Sequence, residues 1–557
     1  MGLKGGKDMA KSDIIKTNIK AEKGITFYEL INKKNDYDVK DIALCRLNGE
    51  FYELNEVIDD DGDIEIIYFE SELGLKIYIR TLQFIFIKAA LDIFPDSKIT
   101  IEHALSKALY GEVHKCSELT ESDIEKIKER MKELISNDIP IKSIRTSKEN
   151  AIKIFEGYNM EDKVKLLEYS DLKNVHLYEL DGRYDYFYGK MAYSTGIIKA
   201  FDVMKYESGF ILRRPEAGNL NVIPEYKEQK NIAKVFMETE KWLSILGIGE
   251  VGTLNEKLTN HESQNVVLVS EALHEKKIAQ IADNISSHKD VKIILIAGPS
   301  SSGKTTFANR LSIQLRVNGI IPIPLSLDNY FVEREETPKD ENGEYDYECI
   351  EALNLKLLNE NLKKIMSGEE TEIPIYNFRT GHKEWNGTTV KLPKNGVLIL
   401  EGIHGLNPSL ISESISNNVF KIYISALTQL NLDNHNRIST TDVRKVRRIV
   451  RDSLSRGYGA ETTLKMWPSI QRGEKRNIFV YQEEADAMFN STLVYELGVL
   501  KPFALKELDK ITEESSVYAE AIRLKAFLSF FKEVPVKEVP HNSLLREFIG
   551  GSCFYEY

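Results

Sequence analysis

Eight consecutive residues, Gly298-Pro299-Ser300-Ser301-Ser302-Gly303-Lys304-Thr305, have types and spacing suited to chemistry. They read G-x-x-x-x-G-K-[ST], a loop that cradles phosphate with backbone N–H groups. Glycines let the backbone close round an anion without side-chain clash. The following helix N-terminus aims further N–H groups at it. In such a loop Lys304 reaches the β- and γ-phosphates and the Thr305 hydroxyl ligates magnesium. The loop and first turn, Gly298, Ser300, Ser301, Ser302, Gly303, Lys304, Thr305 and Thr306, are therefore candidate ATP contacts. The apolar, β-branched run 291–297 (VKIILIA) predicts a buried parallel strand before the loop. Phe307, Leu311 and Leu315 predict a helix after it.

Two acids follow at places where strands should end. IPIPLSL leads into Asp328-Asn329-Tyr330-Phe331, and VLIL leads into Glu401-Gly402. Open α/β sheets bind ligands outside the carboxyl ends of their strands. Asp328 is thus placed to accept a proton from a hydroxyl, to hold magnesium, or both. Glu401 is a second metal-associated acid, since magnesium prefers carboxylate and water oxygens. A later stretch carries Arg444, Arg447, Arg448 and Arg451 at three- and four-residue steps, one basic helical face. Arginine forks suit a transferring phosphoryl group, so this face is expected to be a phosphate-facing lid.

The elements that must position these residues follow from pattern. Alternating strands and helices over residues 291–510 predict a doubly wound parallel sheet. Residues 13–72 predict a small β-grasp module, with strands at 42–47 and 64–69 and a helix near 27–33. Residues 73–225 mix helices (82–93, 124–137, 148–157) with strands (175–180, 196–203, 210–214), an α+β domain. Residues 226–290 read as a charged helical connector. Residues 511–557 begin with a helix over 517–531 and end in a tail expected to pack back on the phosphate-loop domain.

At 557 residues the chain is too long for one core. A net charge of −12 argues against a general nucleic-acid coat. The four cysteines, Cys45, Cys116, Cys349 and Cys553, form no C-x-x-C pair, so neither a zinc ribbon nor a disulfide framework is indicated and a reducing cytoplasm is expected. Residues 1–20 lack the apolar core of a secretory signal. The most apolar stretch, 81–94, is too short to span a bilayer and contains Lys88, so it predicts a buried helix and no membrane partner. The acidic turn at 59–63 lacks EF-hand spacing and reads as a solvated hairpin turn.

The order GPSSSGKTTF, SLDNYF, YDYE (345–348), IPIYNF (373–378), LILEG and DVRKVRRIVRD resembles the uridine kinase and phosphoribulokinase family, over residues 293–461. The resemblance implies a P-loop kinase that moves a phosphoryl group from magnesium–ATP to the primary ribose hydroxyl of a uridine- or cytidine-like nucleoside. It gives Asp328 the roles of general base and metal ligand, with Thr305 and Glu401 beside the metal. Lys304, Arg447 and Arg451 would stabilise the transferring charge, and Arg444 and Arg448 would contact ATP. Tyr330, Asp346, Tyr376 and His382 would line the acceptor site. Asn377 stands where uridine kinases usually have Asp, and one extra residue precedes His382. Those departures leave the nucleoside open. Other readings are a kinase of a sugar phosphate and an RNA-binding ATPase switch.

Residues 13–225 resemble the N-terminal part of threonyl-tRNA synthetases, carried by FPDSKITIEHALSKALYGEV (94–113) and STGIIKAFDV (194–203). The resemblance implies a TGS-type β-grasp domain followed by the second additional domain shared with alanyl-tRNA synthetases, which edits mischarged tRNA with four His and Cys residues. Here His103 remains, but Lys107, Phe187 and Met191 stand at the other three positions. A single ligand cannot hold zinc, so a fold without editing chemistry is expected and His103 is a core or pocket residue. An RNA or a small regulatory ligand is the candidate partner of this half, and a homo-oligomer is the assembly that the kinase resemblance suggests.

Overall fold

The structure is a computed structural model and describes residues 14–34, 36–340, 343, 345–377, 379–416, 418–428 and 430–555. The start of the first module at residue 13, most of the stretch read for a secretory signal, the phenylalanine closing IPIYNF and the final two residues lie outside these. The first module comprises β1 (Ile15–Lys20), α1 (Phe27–Lys34), β2 (Ile42–Leu47), β3 (Glu50–Tyr52) and β4 (Asp63–Tyr68). Its antiparallel sheet has the order β1-β4-β2-β3. Phe27, Leu30 and Ile31 form an i, i+3, i+4 stripe and are fully buried, which fixes α1 against that sheet.

Next comes α2 (Glu72–Ile93), longer than expected by one N-terminal stretch because Ser71 caps it by accepting the Gly74 N–H. Residues 81–90 of this helix are buried continuously, as a core helix requires. It is followed by β5 (Lys98–Leu105), β6 (Ala108–His114), α3 (Glu121–Ser136), β7 (Lys142–Ser147), α4 (Lys148–Gly157), α5 (Glu161–Glu168), β8 (Asn174–Leu180), β9 (Arg183–Tyr186), β10 (Asp202–Tyr206) and β11 (Gly209–Arg213). Two antiparallel sheets result, β10-β11-β6-β5 and β7-β8-β9. The strand expected at 196–203 begins only at Asp202. Its first residues form a turn of 3-10 helix, where the Gly196 N–H is held by Asp138 at 3.0 Å and Ile197 enters the core.

Helices α6 (Lys230–Leu246), α7 (Val251–Thr259) and α8 (Ser263–Ser287) replace the expected connector. They are more than a link. Val251 and Leu254 of α7 and Val266, Val267, Ile278, Ile281 and Ile285 of α8 share one core with the strand and helix that flank the phosphate loop.

That strand is β12 (Ile293–Ala297), and the loop leads into α9 (Lys304–Val317), β13 (Ile321–Ser326) and α10 (Leu355–Met366). Two short antiparallel pairs follow: β14 (Thr371–Glu372) joins β17 (Thr389–Val390), and between them β15 (Ile375–Asn377) joins β16 (His382–Glu384). Then come β18 (Gly396–Glu401), α11 (Glu413–Ser416), β19 (Val419–Ser425), the hairpin β20 (Asn431–Asp433) and β21 (Asn436–Arg437), α12 (Thr440–Arg451), α13 (Ala460–Asn477), β22 (Ala487–Asn490), α14 (Glu496–Leu508), α15 (Tyr518–Leu528) and α16 (Arg546–Ile549). Five parallel strands run in the order β13-β18-β12-β19-β22. Every residue of β12 is buried, as a central parallel strand demands.

The hairpin β20–β21 inserts into the first half. Asn434 O accepts the Ile101 N–H at 2.8 Å, and Asn431 Nδ2 donates to Ile101 O at 3.0 Å. Beneath it lies an ionic cluster with at most 3% exposure: Lys163 Nζ stands 2.8 Å from Asp433 and 3.1 Å from Asp185, whose other oxygen meets His435 Nδ1 at 2.7 Å. These contacts lock the hairpin three residues before α12 begins.

Candidate active site

The phosphate loop is shaped by two glycines that nothing else replaces. A Cβ on Gly298 would run into the carbonyl of Ile424 on β19. Gly303 has φ +85°, a conformation side chains disfavour, and its open face is filled by Leu544. Ser301 is held at φ 60°. Lys304 bends back on the loop, its Nζ donating to the carbonyls of Gly298 (3.0 Å) and Pro299 (3.2 Å). Burial pulls its pKa down. Thr305 is exposed at the start of α9. The hydroxyls of Ser301 and Ser302 are buried and have no hydrogen-bond partner among the described residues, which suits donors reserved for an anion. On that observation the loop fits a nucleotide phosphate.

The two strand-end acids meet. Ser326 on β13 pairs in register with Glu401 on β18, and Ser326 Oγ bridges them, donating to Glu401 Oε1 at 3.2 Å and accepting the Asp328 N–H at 3.3 Å. Burial, with the Asp328 charge beside it, pushes Glu401 up to about 7. Burial also pushes Asp328 up, against the pull of Lys304, Arg456 and Arg451. Two carboxyls that resist sharing their negative charge are what a divalent cation relieves. Magnesium takes one or two carboxylates and completes its shell with phosphate and water. Asp328, Glu401 and the Thr305 hydroxyl fit that role. Among the described residues no group of three or more His, Cys, Asp or Glu stands ready to hold a metal by itself.

The arginines of α12 are placed differently from a free lid. All four are buried, and Arg444, Arg447 and Arg448 hold the loop. Arg444 Nε donates to Ser300 O at 3.0 Å, forms an ion pair with Glu474 of α13 and lies 5.4 Å over the Trp467 ring. Arg447, 0% exposed, pairs with Glu496, and donates to Ser491 and to Ser301 O at 3.4 Å. Arg448 Nη1 reaches Ser300 Oγ at 2.7 Å and its Nε reaches Asp452 at 3.0 Å. Arg451 binds Asp452 at 2.9 Å. Arg451 and Arg456 direct their charge at Asp328. Arg456 lies past the end of α12, in a π-helical turn at 452–456, so helical stepping along the arginine face misses it.

On the acceptor side the structure brings together some expected residues and separates others. Tyr376 sits on β15 with its ring 5.6 Å from Phe331, and its N–H donates to Asn329. Tyr347 closes the same aromatic corner, 6.2 Å from Phe331. Tyr330 instead faces the core, 1% exposed, its hydroxyl accepting from Asn361 of α10 at 3.3 Å. His382 lies on exposed β16, paired with Glu333 at 2.8 Å. Asp346 accepts the N–H of its own neighbour Glu348 at 3.0 Å. Glu348 is the acid of this segment aimed at the loop: burial and the nearby Glu474 charge push it up to about 7, while Arg448, Lys304 and Arg444 pull on it. It lies two residues from Asp346 within the same YDYE stretch.

In the first half, His103 stacks on Phe236 of α6 at 3.7 Å and is 8% exposed. Burial holds it down to about 3. Lys107 stands on the β5–β6 turn, paired with Glu216. Phe187 packs on Phe84 at 4.9 Å, and Met191 accepts from Thr81. His103, Phe187 and Met191 are thus packed in the core, while Lys107 is exposed.

The family model for the phosphoribulokinase/uridine kinase family matches residues 293–494. The uridine kinase of Staphylococcus haemolyticus is 31% identical over 178 residues, 32% of this chain and 76% of that protein. The N-terminal region is similar to threonine–tRNA ligases; that of Caldanaerobacter subterraneus subsp. tengcongensis is 33% identical over 184 residues, 33% of this chain. The chain spans 29% of that ligase's length. A solved chain described as a possible uridine kinase, from Bacillus stearothermophilus, is 19% identical with a TM-score of 0.27, over 38% of this chain and 97% of that one. The loop, the paired strand-end acids and the parallel sheet lie within the matched residues, and the chain belongs to the phosphoribulokinase/uridine kinase family.

Proposed function

We propose that the chain transfers the γ-phosphoryl group of ATP to the primary ribose hydroxyl of a pyrimidine-type nucleoside. The observation that carries this reading is the Asp328–Ser326–Glu401 bridge at the carboxyl edge of β13 and β18, beside Lys304. Asp328 accepts the proton of the attacking hydroxyl, and its raised pKa brings it nearer to that task. Lys304, released from the Gly298 and Pro299 carbonyls, neutralises the transferring phosphoryl group, and the Ser301 and Ser302 hydroxyls donate to phosphate oxygens. Magnesium, when bound, supplies charge neutralisation between the phosphates. Arg451 and Arg456 steady the Asp328 carboxylate. The aromatic corner of Phe331, Tyr347 and Tyr376 offers faces on which a base stacks.

The test is a nucleoside panel with ATP and magnesium, read by product mass, on the wild type and on Asp328→Asn. Loss of the general base lowers kcat by roughly 10²–10⁴-fold and leaves the ATP dissociation constant within about threefold, far below the tenfold that 1.4 kcal/mol represents. Normal turnover by Asp328→Asn refutes the assignment. Inorganic phosphate as the sole product, stimulated by RNA, would favour an ATPase switch instead.

A further inference from the structure

Donors at both ends of the phosphate loop are already engaged by the chain's own carboxylates. Thr306 is the third residue of α9, and its N–H is one of the first-turn donors that a helix leaves without an internal partner. Glu547 of α16 takes it: one carboxylate oxygen accepts from the Thr306 N–H at 3.2 Å and from its hydroxyl at 2.9 Å. The Tyr555 hydroxyl sits 2.6 Å from the same Thr306 oxygen. At the other end of the loop, Glu474 accepts the Ser300 N–H at 3.0 Å. Thr306, Glu474 and Glu547 are buried, so these are charge-assisted contacts in a dry setting.

The C-terminal segment also covers the loop sterically. Leu544, wholly buried, fills the face that Gly303 leaves open. Phe548 lies beneath the Arg447 guanidinium at 5.2 Å. The segment is held together by itself. Arg546 donates to the carbonyls of Val536, Val539, Pro540 and Gly550. His541 Nδ1 meets Gly551 O at 2.9 Å, and the Cys553 N–H donates to His541 O at 3.0 Å. Such a unit can lift away without breaking its internal bonds. What it would give up is the grip of Glu547 and Tyr555 on Thr306 and the core packing of Val539, Leu544, Leu545, Phe548 and Ile549.

We propose that the segment carrying Leu544, Glu547, Phe548 and Tyr555 is an autoinhibitory latch, its Glu547 carboxylate standing on the α9 N-terminus where a nucleoside triphosphate places a phosphate, so that nucleotide binding requires its release. The inference rests on the nucleotide-site reading of the loop. A carboxylate and a phosphate compete for the Thr306 N–H because both are anions, and like charges at that distance repel. A fixed structural cap for α9 would make the same contacts but would leave nucleotide affinity unchanged when its charge is removed.

Glu547→Gln keeps the shape and an acceptor oxygen and removes the charge. ATP binding with magnesium, measured by calorimetry on the full chain, should tighten about tenfold or more, the ratio expected when roughly one ionic contact no longer has to be displaced. Tyr555→Phe should tighten it by a smaller factor and serves if Glu547→Gln folds poorly. In the wild type, saturating ATP should speed amide exchange across residues 536–555. Unchanged or weaker ATP affinity in both variants overturns the latch, as does unchanged or slower exchange of that segment at saturating ATP. If the folded wild type and both variants bind no ATP at all, the nucleotide reading of the loop falls, and the latch with it. ATP binding without phosphoryl transfer to any nucleoside would count against the proposed activity alone.

Discussion

Replacing Lys163 by methionine tests whether the two halves are joined by the buried ionic cluster. Methionine keeps most of the apolar stem and fills similar volume, so the cavity contribution is small. What disappears is the one ammonium between Asp185 and Asp433, at 3.1 and 2.8 Å, with both carboxylates 0% exposed. Breaking a buried pair by removing one partner costs about 3–5 kcal/mol. The lower end applies here because the acids keep other donors. Asp433 retains the N–H groups of His435 (2.8 Å) and Asn436 (3.0 Å) and the Asn436 side chain at 2.7 Å. Asp185 retains His435 and the Tyr186 N–H, each at 2.7 Å. About 3 kcal/mol corresponds to a roughly hundredfold rise in the opening equilibrium. A chain with several domains need not unfold in one step, so the assay is local: native-state amide exchange of residues 431–437 and of Ile101, whose N–H is bonded to Asn434. Their exchange should accelerate about a hundredfold, with strands β1 to β4 unaffected. Adding Asp433→Asn to Lys163→Met should recover part of the loss, because one orphan charge is gone. Acceleration below threefold would refute the claim that this cluster holds the hairpin.

Two further outcomes follow from individual residues. His103 and His274 are both held down to about 3 by burial, against an ordinary value near 6.5. The folded state therefore favours their neutral forms. Their contribution is fully present above pH 6.5 and falls by about 1.4 kcal/mol per histidine per pH unit below it. Going from pH 7.5 to 5.0 should cost about 2 kcal/mol at each site, and His103→Phe should remove one such increment from the urea midpoint shift; an identical shift in the variant would contradict the assignment. Gly303→Ala places a side chain at φ +85° and against Leu544, so it should destabilise by about 2 kcal/mol or more and weaken ATP binding. Adding Leu544→Ala relieves the clash but not the dihedral strain, and full rescue by that double change would show that the backbone conformation is unimportant.

The phosphate loop was legible because its eight residues are contiguous and its strand and helix declare themselves on either side. The acid pair was nearly as legible: each acid follows an apolar run, and the register of Ser326 with Glu401 converts two strand ends into one site. The arginine face was seen, but its surroundings were not. Periodicity shows which residues share a face and says nothing about the acids opposite, and Glu474, Glu496 and Asp452 turn an expected lid into a brace. Helix α8 was read as a charged connector although Val266, Ile278, Ile281 and Ile285 already repeat at helical spacing, since the surface they cover lies elsewhere in the chain. Glu547 had no local signal at all. It reaches Thr306 across 241 residues, and only the folded chain brings them together.

The position of the synthetase-like half argues for what it does mechanically. In it His103, Phe187 and Met191 are packed in the core, and α6 lies on His103. Its buried charges converge on a hairpin that leads directly into α12, and α12 holds Ser300 and Ser301 through Arg444, Arg447 and Arg448. A buried ionic cluster is a weak source of net stability, because desolvation offsets much of its attraction. Its attested use is to fix register, since any displaced arrangement leaves a charge unpaired in a dry core. Hydrophobic packing alone would tolerate sliding of the hairpin by part of a residue; Lys163 between two acids does not. The cluster therefore fixes the hairpin that leads into α12, the helix whose arginines hold Ser300 and Ser301.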